Sequence, residues 1–207
     1  MSQAQVAEIL TEIRLHHPDL SFECLFAETI GDKDKKTSLR SLGKTDFFTR
    51  EVDQLLLSGQ CRIAIHSAKD LPDPLSKGLK LIALTSGVDP SDVLVMRSGS
   101  SLTSLPPQAV IATSSERREE AVKILRKDLT FIDIRGTIGE RIEKLMQGKA
   151  DGVVVAEAAL IRLGLTHLNR VKLSGETTPF QGQLAILARE GDTEMEALFS
   201  PINTYRL

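Results

Sequence analysis

Residues 63–74 read IAIHSAKDLPDP. Ile63, Ala64 and Ile65 make the short apolar run that a buried strand needs, and His66, Ser67, Lys69 and Asp70 follow at once. Pro72 and Pro74 cannot extend a central strand, because proline has no N–H for the ladder. The strand therefore stops where charge begins. A core strand carrying a lysine and an aspartate at its tip suits an α/β sheet, in which ligands bind beyond the carboxyl ends of the strands.

The flanking sequence alternates helical and strand periods. The pattern predicts a helix near 3–14, a strand near 21–28, a helix over 47–58, a strand over 61–67 and another over 79–85. After GVDPSD at 87–92 a second series begins. It runs through strands at 93–96 and 109–113, a helix to about 127, a strand at 129–134, a helix over 138–147, a strand at 152–156 and a helix ending at Gly164. One more strand within 177–190 and a helix from about 192 are too little for a third domain and enough to rejoin the first sheet. The expected architecture is a two-lobed, periplasmic-binding-protein-like α/β fold with a double crossover between lobes, domain 1 being 1–86 plus 184–207 and domain 2 being 87–183.

Composition sets broad limits. Among 207 residues, 26 Lys and Arg face 28 Asp and Glu, and the net charge of -2 gives no general case for nucleic acid or an anionic membrane. Any basic site must be local. Cys24 and Cys61 form no CxxC pair and lie in strand-like contexts, which predicts buried reduced thiols and a reducing compartment. The first residues lack a basic segment followed by a long apolar one, and no window reaches about 18 apolar residues. The expected location is the cytoplasm.

Three segments carry chemistry. In TSSERREE (113–120), Thr113 and Glu116 have capping-box spacing, and Arg117 and Arg118 in the first turn oppose the helix dipole unless an anion sits there. A solvated face braced by Glu119 and Lys123 is the competing reading. DIRGTIGERI (133–142) puts Arg135 at a strand tip and Arg141 early in a helix, and EAALIRLGL (157–165) contributes Arg162, a residue more readily explained as a surface arginine than as a ligand. Guanidinium forks recurring at strand ends suit carboxylates or phosphates, so a polyanionic small molecule is expected. Lys69 and Asp70 are either a local ion pair or a cation and an ionised carboxylate within one active site. SLRSLGKT (38–45) ends like a phosphate-binding loop but has Ser38 where the first glycine is required. His16, His17, His66 and His167 show no metal-ligand spacing with the cysteines, so no metal is expected.

In this order, HSAKDLP (66–72), TSSERR (113–118), IRGTIGER (134–141), ALIRLGL (159–165) and PFQGQLA (179–185) resemble the porphobilinogen deaminase, or hydroxymethylbilane synthase, family. The resemblance spans nearly the whole chain, with DPSD (89–92) and Gln5 included. It implies a transferase that joins four porphobilinogen units into hydroxymethylbilane with release of ammonia, in tetrapyrrole and haem biosynthesis. It implies that Asp70 is the catalytic aspartate, contacting pyrrole N–H groups and stabilising an azafulvene-type cation. Gln5, Lys69, Thr113, Ser115, Arg117, Arg118, Arg135, Arg141, Arg162 and Gln183 match positions that bind substrate or a dipyrromethane cofactor. A cytoplasmic monomer without a metal, nucleic acid or membrane partner is implied as well.

The pattern also departs from the family. The resemblance leads us to expect a chain shortened at both ends, without the third domain whose cysteine holds the dipyrromethane by a thioether. Neither Cys24 nor Cys61 matches that cysteine, so no attachment site is found in this chain. The strand expected before the first helix is likewise missing, which would leave sheet backbone unpaired and apolar surface open. GKTDFF (43–48) replaces a glycine-rich lid, Glu116 replaces an apolar residue and Leu184 replaces a glycine. The alternatives to an enzyme are a non-catalytic bilobal polycarboxylate- or tetrapyrrole-binding protein, or an inactive fragment whose exposed edge recruits a partner chain.

Overall fold

The computed structural model describes residues 1–34 and 45–205. The described residues fall into two compact units, one drawn from Met1–Lys33, Lys44–Val88 and Pro179–Leu207, the other from Asp89–Thr178 together with Asp34. The phosphate-loop-like stretch at 38–45 and the start of GKTDFF lie almost wholly outside the described residues.

The first unit holds helices α1 (Ser2–Arg14), α2 (Ile30–Lys33), α3 (Arg50–Leu57) and α7 (Thr193–Phe199), and strands β1 (Ile63–Ser67), β2 (Leu79–Leu84) and β8 (Leu184–Arg189). Its sheet is antiparallel in the order β1-β8-β2. Leu184, Ile186 and Ala188 of β8 pack with Ile9 and Ile13 of α1 and with Met195 and Phe199 of α7. Leu187 faces the other way, onto Leu56 of α3, Ala64 and Leu79. Because helices cover both faces, β8 is apolar from Leu184 to Ala188 instead of alternating. Leu184 is one of these core residues, which gives its side chain a packing role.

The second unit contains β3 (Asp92–Met96), β4 (Val110–Ala112), β5 (Thr130–Ile132), β6 (Gly152–Ala156) and β7 (Arg170–Lys172), in the order β5-β4-β6-β3-β7. β4 runs parallel to β5 and β6, whereas β3 is antiparallel to β6 and β7. Helices α5 (Ile138–Met146) and α6 (Glu157–Arg162) cover one face, where Leu145 and Leu160 meet Val93, Val95, Val153 and Val155. Helix α4 (Glu116–Leu125) covers the other through Val122, against Leu94, Ile111 and Val154.

Several expectations need correction. Residues 21–28 form no strand, since they pair with no neighbour among the described residues, and Phe22 instead stacks on Phe199 at 6.0 Å. A strand needs a ladder, and β1 is laddered only to β8. The helix expected over 47–58 is split into a 3-10 turn, Asp46–Phe48, and α3. Cys24 is exposed and Cys61 partly so, because the segment carrying Cys24 never enters a sheet. Lys123 bonds Glu120 at 2.6 Å, three residues away, while Glu119 is buried. Strand β7 was not foreseen, its three residues being too short to show a period.

The chain leaves and re-enters the first unit through two adjoining segments. Thr85 and Val88 donate their N–H groups to the carbonyls of Leu184 and Gly182. Between them Gly87 has φ +74, and a Cβ there would stand 2.8 Å from the Gly182 oxygen and 2.9 Å from the Gln183 Cα. Gly87→Ala is expected to lower the unfolding free energy by roughly 1–3 kcal/mol. Urea denaturation checks this, and an unchanged midpoint contradicts the constraint.

Candidate functional site

In the first unit the chemistry gathers where β1 ends. Ala68–Asp70 is a single 3-10 turn, closed by Leu71 N–H donating to the Ala68 carbonyl at 3.3 Å. The turn is held from several sides. Ala68 N–H donates to the Gln183 carbonyl at 3.1 Å, and Gln5 Nε2 of α1 donates to Ser67 Oγ at 2.8 Å. The Gln183 side chain donates to the Thr85 carbonyl at 2.8 Å. Behind the turn, His66 Nε2 lies 3.0 Å from Asp53 Oδ1 of α3, both residues buried, and Ser76 Oγ donates to the other Asp53 oxygen at 3.3 Å. Gln5 and Gln183 are thus brought to the strand end carrying Lys69 and Asp70. Asp53 was not foreseen; the signal was a lone acid on the inward face of a helix, facing a histidine in an apolar strand.

In the second unit the strand ends form a different environment. Thr113 N–H still pairs with the Ile132 carbonyl at 2.9 Å, and Ser114 Oγ donates to the Ile134 carbonyl at 2.6 Å while accepting from Ile134 N–H at 3.1 Å. Thr113 thus continues the sheet through its backbone, while its Oγ1 accepts from Ser115 N–H at 3.3 Å. The expected Thr113–Glu116 capping box does not form: α4 begins at Glu116, and its N-cap is Ser115, whose side chain makes no cap bond. The box appears one helix later, where Thr137 Oγ1 accepts from Glu140 N–H at 3.2 Å and Glu140 Oε2 accepts from Thr137 N–H at 2.7 Å. Gly136, at φ +110, leaves room for it, since a Cβ there would meet Glu140 Oε2 at 2.6 Å.

Arginines converge here. Arg117 and Arg118 both grip Asp92, the first residue of β3: Arg117 donates to Oδ2 at 2.6 Å, and Arg118 donates to Oδ1 through Nε at 3.0 Å and Nη2 at 2.7 Å. Arg117 also donates to the Glu176 carbonyl at 2.7 Å. Arg135 donates to the Asp34 carbonyl at 2.6 Å, and Arg141 Nε donates to the Gly136 carbonyl at 2.8 Å. Burial, followed by repulsion from Arg118 and Arg135, pushes the Arg141 guanidinium down to about 10 against a partial counter-effect from Asp133 and Glu140. Three like charges close enough to repel, in a poorly hydrated setting, make a site that an anion relieves. Arg162 closes α6 at its end remote from β6, so it belongs to the same unit but not to that mutual repulsion.

Asp92 was not foreseen as the partner of the arginine pair, although DPSD was legible as a motif. Burial alone raises its carboxyl, but Arg118 and Arg117 outweigh that and hold it below the ordinary 3.8. A depressed carboxyl contributes its stability in full above 3.8 and loses it as pH falls through the lower folded value. Asp92→Asn is expected to cost about 2–4 kcal/mol at pH 7, less than a fully buried pair because Arg117 keeps solvent contact. The gap from the unsubstituted chain should close in acid, below the ordinary carboxylate value. Chemical denaturation across pH checks this; a gap that widens in acid contradicts the sign.

Residues 1–197 match the family model described as porphobilinogen deaminase, dipyromethane cofactor binding domain. A probable porphobilinogen deaminase of Chlamydia pneumoniae is 38% identical over 205 residues, 99% of this chain and 87% of that protein. The porphobilinogen deaminase of Streptococcus sanguinis is 34% identical over 209 residues, 98% and 68% of the two chains. Among solved structures, the periplasmic VFT2 domain of Bordetella pertussis BvgS superposes with a TM-score of 0.52 at 15% identity, covering 93% of this chain and 74% of that one. The OxyR2 regulatory domain of Vibrio vulnificus gives 0.53 at 14%, covering 98% and 87%. At such identities these two bear on fold alone, and they are similar to it in the periplasmic-binding-protein-like α/β class. With its fold, its ordered motifs and its sequence relatives in agreement, the chain belongs to the porphobilinogen deaminase family.

Proposed function

We propose that this chain joins porphobilinogen units head to tail into hydroxymethylbilane, releasing one ammonia per unit and taking up one water that supplies the terminal hydroxyl, and that Asp70 is the group at the reacting pyrrole. The observation that carries this reading is the congregation of Arg118, Arg135 and Arg141, because every pyrrole of the product bears acetate and propionate groups. In each addition the aminomethyl C–N bond of porphobilinogen breaks with the nitrogen leaving as ammonia. The carbon then bonds to the free α-carbon of a neighbouring pyrrole, which gives up its proton. The cationic pyrrole passed through on the way needs an ionised carboxylate beside its N–H, the role assigned to Asp70. Lys69, Arg117, Arg118, Arg135, Arg141 and Arg162 are assigned to carboxylates, and Thr113, Ser115, Gln5 and Gln183 to positioning ligand or the strand ends that meet it.

The dipyrromethane cofactor fits this donor set in part. Arg118, Arg135 and Arg141 would hold its carboxylates, and when bound it would supply the pyrroles to which substrate is joined. The thiols fit less well, since burial pushes the Cys61 thiol up and lowers its thiolate fraction. The same proposal takes 1–86 plus 184–207 and 87–183 as domains and the working form as a cytoplasmic monomer. No described helix is long and apolar enough to cross a membrane. The family relatives favour an enzyme over a purely binding protein.

Incubation with porphobilinogen, followed by oxidation and detection of uroporphyrin, tests the reading; an unsubstituted chain that forms none contradicts it. Asp70→Ala is expected to lower turnover by about 10²–10⁴. Turnover close to that of the unsubstituted chain would remove Asp70 from the chemistry. Arg141→Gln should act mainly through KM, raising it about tenfold or more with a smaller change in kcat.

A further inference from the structure

Asp53 is a buried acid on a helix face that otherwise packs on apolar residues. It and Leu56 are the buried residues of α3, three positions apart and therefore on one face of the helix. Leu56 clusters with Ala64 of β1. Two residues further along the same face of that strand, His66 Nε2 meets Asp53 Oδ1 at 3.0 Å. A carboxylate oxygen accepts, so the His66 ring donates through Nε2. The second oxygen is used as well. Ser76 Oγ donates to Asp53 Oδ2 at 3.3 Å, and the Ser76 carbonyl accepts from the N–H of Leu79, the first residue of β2, at 3.1 Å. One carboxylate thus holds His66, beside the end of β1, and Ser76, at the threshold of β2. Everything between them, Lys69 and Asp70 included, is a loop closed at both ends on Asp53.

Stability does not call for this arrangement. A buried acid–imidazole contact costs desolvation, and an apolar pair of similar volume is often as stable. What the polar contacts add is direction. Leu71 and Leu75 of the loop pack on the same cluster as Leu56 and Ala64, but apolar contact tolerates sliding and rotation, whereas a hydrogen bond fixes distance and angle. Asp53 is itself fixed in the helix, its N–H donating to the Thr49 carbonyl at 2.8 Å. The arrangement is no nucleophilic triad, because the serine bonds the acid and not the imidazole.

We propose that Asp53 is a positioning residue for Asp70. By accepting from His66 and Ser76 together it sets the path of the loop, and with it the place at which the Asp70 carboxylate meets the reacting pyrrole. The inference rests on the role given to Asp70 above. Buried behind the turn, Asp53 acts through the loop and not on substrate.

The test uses the whole chain carrying Asp53→Leu, similar in shape but without acceptors, or Asp53→Asn, which keeps one. Amide hydrogen exchange reads the loop without requiring turnover. Ala68 and Leu71, whose N–H groups donate to the Gln183 and Ala68 carbonyls, should exchange at least about tenfold faster in Asp53→Leu, while Ile186 in the central strand changes by less than about twofold. In porphobilinogen turnover kcat should fall at least about tenfold with KM held within about threefold, because the displaced group acts in the transition state. Asp53→Asn should lie between Asp53→Leu and the unsubstituted chain in both readouts. Should Asp53→Leu not fold, Asp53→Asn decides, at about threefold in each. Exchange that is unchanged, or faster by the same factor at Ala68, Leu71 and Ile186, overturns the proposal, and so does a loss of turnover carried by KM. An unsubstituted chain that forms no bilane refutes the proposed activity, and the hold of Asp53 on the loop then stands or falls on the exchange contrast alone.

Discussion

Like charge held at close quarters is the constraint on which the second unit turns. Arg118 comes from the β4–α4 junction and Arg135 and Arg141 from the β5–α5 junction, and their repulsion of Arg141 together with burial is strong enough to weaken its hold on its proton. Such a gathering cannot arise from side-chain preference alone, since each guanidinium gains by moving into water. The backbone imposes it. Ser114 ties the ends of β4 and β5, the Thr137–Glu140 box fixes the start of α5, and Asp92 clamps the arginine pair of α4. That buried carboxylate, together with Asp133 and Glu140 near Arg141, restrains the cluster.

The first unit presents the opposite chemistry with the same economy of backbone. β1 terminates in one 3-10 turn, and the residues before, within and behind that turn are bonded to α1, α3 and the start of β8. A carboxylate on a strand end held this way changes position little as charge develops near it, which is what electrostatic stabilisation of a cation requires.

Much of this was readable in residue order, and the failures have physical causes. The apolar runs of β6 and β8 announced themselves because each is covered on both faces. Pro72 and Pro74 fixed the end of β1, and the arginines stood out by recurring at strand tips. What could not be read was partnership. Asp92 lies 25 residues before Arg117, and only the antiparallel run of β3 beside β6 brings it to the strand ends. Thr113 carries capping-box spacing, but α4 begins at Glu116 with Ser115 as its N-cap, while the same spacing at 137–140 is used. Residues 21–28 have strand-like composition, yet composition cannot supply a ladder partner, and Cys24 is exposed for the same reason.

The most direct measurement is the Nε–Hε resonance of each arginine during titration with a dipyrromethane that carries acetate and propionate groups. Arg118, Arg135 and Arg141 should shift together along one saturable isotherm. Arg126 and Arg170, already bonded to Asp128 and Glu157 at 2.7 and 2.6 Å, should not follow them. Equal shifts in all five, or a response confined to Arg126 and Arg170, would contradict a carboxylate site built from converging guanidinium groups.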